Sequence, residues 1–214
     1  MKTATFIAVY VASPLIPAAF YASSMSGTID AYSASMILGV AAYILLCNQL
    51  ILASRPAFVI EAIGAKGLAA LHGSAPLAIL AMAVAHRALK DYMGFDMGSA
   101  HAIIGLAALI MLFMATAAAA AFLAKPAGRA AEAIKAFRAK AAERLGLTYK
   151  TARALHGMVA AAVVALGAHA LMASSSTLSG NPIGTVWLAV WTALSLFLYI
   201  RYRISGRRPG KIPS

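Results

Sequence analysis

The sequence predicts an all-α membrane protein, a single domain over residues 1–214 built as a six-helix transmembrane bundle. Three observations carry this reading. The chain is 62% apolar, only 11% charged and has a mean hydropathy of +0.83, far from the makeup of a soluble domain. Its apolar residues gather into six runs, each suited to a hydrocarbon core about 30 Å thick. Its basic residues stand between and after those runs, as topology signals do. The net charge of +12 therefore reads as membrane orientation and not as a nucleic-acid surface.

The first run, residues 5–22, is interrupted by Pro14 and Pro17. Lys2 and the small residues Ala22-Ser23-Ser24 also resemble a cleavable signal peptide. The stretch is long for a signal core and carries two prolines, so it reads as a kinked spanning helix. Met25–Ser33 is a mostly polar link with Asp30 as its one charge, and the second run, 34–53, ends before Arg55-Pro56. After Arg55, Glu61 and Lys66 comes the third run, 67–89, with His72 and His86 among many small residues. Arg87, Lys90, Asp91 and Asp96 make a link that is neutral in sum.

The fourth run, 99–123, opens with His101, which reads as a solvated residue at the outer interface in preference to a group near a metal cofactor or a substitute ligand for one, and stops at Lys125-Pro126. Residues 125–150 are basic and alanine-rich, with good helix propensity, and are expected at the membrane surface. Besides signalling topology, such a stretch can dock an acidic flavoprotein or anionic lipid. The fifth run, 151–173, carries His156 and His169. A charge-free link leads to the sixth, 183–200, and the basic tail 201–214 is expected to be unstructured. The ten methionines read as packing residues.

With six spans and the amino terminus inside, sixteen lysines and arginines fall on the inner side and only Arg87 and Lys90 on the outer. Both termini are then cytoplasmic, and the alanine-rich composition suggests a bacterial inner membrane. Cleavage of the first run would leave five spans in the same orientation.

The tetrapeptide Ala70-Leu71-His72-Gly73 recurs as Ala154-Leu155-His156-Gly157, and a second histidine follows each, His86 after 14 residues and His169 after 13. At 1.5 Å per residue, each helix holds two imidazoles about 20 Å apart. The third and fifth spans run in the same direction, so His72 matches His156 in depth near the inner side, and His86 matches His169 near the outer. Histidine is rare in membrane helices and needs a partner there. Two haem irons, each with two axial imidazoles, supply such partners and favour electron transfer over ligand binding. Gly73, Gly157 and Gly167 keep bulk away from a porphyrin, and Arg87 and Arg153 can meet propionates. The one cysteine, Cys47, excludes both a disulfide framework and a Cys-x-x-Cys-His attachment, so the haems would be held non-covalently. On a straight helix 13 residues leave the second side chain about 140° from the first. The fifth span is therefore expected to bend, to unwind locally or to present its haems at different angles, and Gly167 is the expected place for a distortion.

Two other classes compete. A small transporter or channel with a histidine-lined proton or metal path is the alternative. A purely anchoring subunit ranks last because it leaves four histidines unexplained.

At Tyr149-Lys150-Thr151-Ala152-Arg153-Ala154-Leu155-His156, at His169-Ala170, and at Leu71-His72 and His86, the chain resembles the ferric-reductase-like transmembrane family. That family includes ferric reductases, NADPH oxidases and the haem subunit of the bacterial methionine sulfoxide reductase system, and the likeness extends over roughly residues 34–203. The resemblance implies a six-helix bundle with two b-type haems stacked between helices three and five. Their ligands would be His72, His86, His156 and His169. It implies a membrane oxidoreductase subunit passing electrons from an inner donor to an outer acceptor, such as ferric iron or a redox partner protein. Full-length ferric reductases and NADPH oxidases continue into flavin and nicotinamide-nucleotide domains, which are not read in this sequence. A separate flavoprotein or membrane quinol is then the expected donor.

Overall fold

The computed structural model describes residues 3–24, 30–123 and 130–205. Lys2, much of the first link, the Lys125-Pro126 stop and most of the basic tail lie outside the described residues. Within them all regular structure is helical, and six helices are long and apolar enough to cross a membrane. The chain is thus an integral membrane protein by length and composition. Its contacts divide it into two compact units, Met1–Phe95 with Leu171–Ser214, and Asp96–Ala170.

In the first unit the leading span is two helices, α1 (Thr3–Ala12) and α2 (Leu15–Ser23), separated at Ser13-Pro14 because proline cannot supply an N–H to the turn before it. α3 (Ala31–Ala53) is the hub, packing on α1, α2, α4 (Ala57–Tyr92) and α9 (Pro182–Ser205). Of its apolar stretch 61% is buried, against 28% or less for every other span.

Burial of that degree requires polar side chains on α3 to find partners on neighbouring helices. Asn48 donates to the Ser13 hydroxyl at 2.8 Å and accepts from the Trp191 indole at 2.9 Å, Gln49 donates to the Tyr10 hydroxyl, and Tyr43 pairs with Thr192 at 2.6 Å. Interhelical bonds of this kind contribute about 0.6 kcal/mol each in a membrane.

α4 starts ten residues before the predicted third run. Val59 and Ala62 explain this, since they bury against Phe6, Tyr10, Leu52 and Leu68, and Thr3 donates to the Ala62 carbonyl at 2.8 Å. Gly64, at φ 66° and ψ 172°, breaks this leading piece from the rest, a backbone region that glycine enters without a Cβ penalty. At the other end of the unit, α9 continues to Ser205, so residues 201–205 are helical and not part of an unstructured tail. Arg203 in its last turn complements the carbonyl end of the helix dipole.

The second unit holds α5 (Ala100–Ala118), which ends in a π-helical turn at Ala119–Leu123, then α6 (Ala130–Leu145), α7 (Tyr149–Gly157) and α8 (Val159–Met172). The basic segment is thus helical over Ala130–Leu145. Arg138 of α6 donates to the Ala121 carbonyl at 2.6 Å and Phe137 rests on Phe122, their ring centroids 6.2 Å apart. The fifth span is distorted, one of the outcomes its spacing allows, but at Met158 and not at Gly167. The Met158 N–H bonds to the Leu155 carbonyl, three residues back, at 3.0 Å. Gly167 is buried inside α8, where packing holds it helical, whereas Gly157 is exposed at the end of α7.

Two predictions follow from these contacts. α3 opens with a capping box in which the Asp30 carboxylate accepts the Ser33 N–H at 2.7 Å and the Ser33 hydroxyl accepts the Asp30 N–H at 2.8 Å. The backbone N–H of Ser33, and then its hydroxyl, hold the Asp30 carboxyl below its ordinary value. A depressed folded value gives stabilisation that is present above the ordinary value and lost as pH falls through the depressed one. Asp30→Ala should lower Tm in detergent at neutral pH, with the difference from wild type vanishing on acidification. Asn48→Ala leaves the Trp191 N–H and the Ser13 hydroxyl without this partner and should cost about 1–3 kcal/mol, measured by reversible denaturant titration in mixed micelles.

Candidate functional site

All five histidines are half-buried. His72 and His86 belong to the first unit, and His101, His156 and His169 to the second.

His86, in the last third of α4, packs against α3. Its Nδ1 lies 2.7 Å from the Ser35 carbonyl oxygen. A carbonyl only accepts, so the proton of a neutral ring sits on Nδ1 and the lone pair on Nε2. The Ser35 hydroxyl lies 3.0 Å from the same Nδ1 and donates to the His86 carbonyl at 3.1 Å. The ring lies against Gly39, where a Cβ would come within 2.9 Å of Nδ1 and 3.0 Å of Cε1.

His169, on α8, repeats the arrangement against α5. Its Nδ1 donates to the His101 carbonyl at 2.6 Å, and a Cβ on Gly105 would come within 2.9 Å of both Nδ1 and Cε1. In each unit the accepting carbonyl and the glycine are four residues apart, one helical turn. His101, in the first turn of α5, is half-buried. Its ring is tilted 32° to that of His169 at 5.9 Å between centroids, because the bond from His169 to its carbonyl draws the two residues together.

His72 and His156 sit at helix irregularities. His156 faces the carbonyl of Ala115 on α5, and α7 breaks two residues beyond it at Met158. Four residues after His72 comes Pro76, which brings no N–H to the His72 carbonyl. A Cβ on Gly73 or on Gly157 would meet nothing within 4 Å. Of the two arginines expected to meet propionates, Arg87 pairs with Asp91 at 3.3 Å and Arg153 is exposed on α7. Among the described residues no three His, Cys, Asp or Glu side chains form a group that would hold a bare metal ion.

Ser35, Gly39 and Gly105 are absent from the reading of the sequence. A glycine inside an apolar helical run was the available signal, since it lowers helix propensity unless close packing requires it. The accepting carbonyls have no sequence signal, because every residue carries one. Neither a family model, nor a curated protein, nor a solved structure matches the chain.

Proposed function

We propose that the chain is a transmembrane di-haem b electron-transfer subunit of a membrane oxidoreductase. It would take electrons from a cytoplasmic flavoprotein or quinol and deliver them outside to an acceptor such as ferric iron or a redox partner protein. One observation carries the reading. His86 and His169, on separate units, are each held by an Nδ1–H bond to a backbone carbonyl, the contact by which metal-binding imidazoles are oriented and made more basic. Residues that lock Nδ1 in this way fit a haem, whose iron asks the protein for two axial nitrogens and no further ligand.

His72 and His156 would ligate the inner haem through Nε2, and His86 and His169 the outer. Bound haem supplies a one-electron iron couple. The chain's own residues do the rest. Gly73 and Gly157 leave space beside the inner imidazoles, and Arg87 and Arg153 are the cations for the propionates, Arg87 by exchanging its exposed Asp91 partner. Apolar residues along the spans exclude water and keep the dielectric low.

The test is haem stoichiometry by the pyridine haemochrome method on protein purified in detergent. Two haems per chain are expected, falling to one in His86→Ala or His169→Ala, and the other one being lost in His72→Ala or His156→Ala. Folded protein that carries ions across vesicles and binds no haem would replace this account with a histidine-lined path.

A further inference from the structure

The two outer histidines meet the same three-part device in different units. In the first unit it consists of the Ser35 carbonyl, Gly39 one turn later, and His86 on the adjoining helix. In the second it is the His101 carbonyl, Gly105 one turn later, and His169. The carbonyl pulls the ring toward the helix and the glycine makes room for it, so each part depends on the other. A side chain at either glycine would stand 2.9 Å from the ring. The ring could give way only by turning about its χ angles, which breaks the Nδ1–H bond and redirects Nε2.

The two devices differ in one respect. Ser35 is fully buried, and its hydroxyl adds a second acceptor beside the His86 Nδ1 and a bond to the His86 carbonyl. At His169 the neighbouring side chain is an imidazole whose ring leans on the histidine. The first ligand is thus the more tightly fixed, and its Nδ1 proton lies between two oxygens.

We infer that Ser35, Gly39 and Gly105 are positioning residues for the outer haem: the glycines aim Nε2 of His86 and His169, and the Ser35 hydroxyl strengthens His86 as an electron donor. This rests on the di-haem reading. Acceptors on Nδ1–H raise the basicity of the ligating nitrogen, and a more basic ligand stabilises ferric over ferrous iron. The Ser35 hydroxyl therefore lowers the potential of one haem and leaves the other alone.

Redox titration with optical detection, on full-length protein in detergent, tests this. Gly39→Ala and Gly105→Ala should each reduce haem content from two per chain to one, with helical content and the remaining haem's potential unchanged. Ser35→Ala should retain both haems and move one midpoint upward, while Ser35→Thr, which keeps a hydroxyl, returns it toward the wild-type value. If the glycine variants fail to fold, the Ser35 pair decides alone. Two haems with both midpoints unmoved in Ser35→Ala would overturn the inference while the di-haem reading stood. Wild-type protein without haem would overturn both.

Discussion

An imidazole inside a bilayer has two ring nitrogens to satisfy in a medium that offers no water. At His86 and His169 the structure gives Nδ1 a backbone carbonyl on an adjoining helix. Because an α-helix uses its carbonyls internally, the acceptor must lie where a second bond can reach it, and the ring must come close to the helix to make it. Close approach demands a residue without a side chain one turn away, which is Gly39 on α3 and Gly105 on α5. The tautomer follows, and with it the nitrogen that can serve a metal.

The helices that bear these carbonyls hold them in different ways. α3 is buried along most of its length and is bound sideways by Asn48, Gln49 and Tyr43, so the Ser35 carbonyl is fixed by a framework that extends well beyond the histidine. α5 directs one carbonyl, from His101, to His169 and another, from Ala115, toward His156. These two carbonyls stand fourteen residues apart while the histidines stand thirteen apart. The break at Met158 falls between the histidines, where their separation and phase can adjust to the carbonyls.

The six spans were legible in the sequence, because hydropathy over about twenty residues is a property of composition. A mismatch in the fifth span was legible too, since a spacing of thirteen is incompatible with one straight face, and distortion was one of the outcomes it allowed. Its location was not: Gly157 and Gly167 are equivalent on paper and differ only in packing, Gly167 being buried within α8. The early start of α4 was missed for a similar reason, as Val59 and Ala62 become helical core only against α1 and α3. The contact of His101 with His169 was not legible, because its contribution is a backbone atom. Of the site, the histidines themselves stood out by rarity and spacing, whereas Gly39 and Gly105 acquire meaning only once the rings beside them are seen.

The central claim is that these imidazoles serve as axial ligands in pairs, and low-temperature electron paramagnetic resonance of the air-oxidised protein addresses it most directly. Two low-spin ferric signals with the g-values of bis-histidine coordination, equal in spin count to two per chain, are the predicted result. A folded, iron-replete preparation that shows only high-spin or non-haem iron, or no ferric signal, would contradict it.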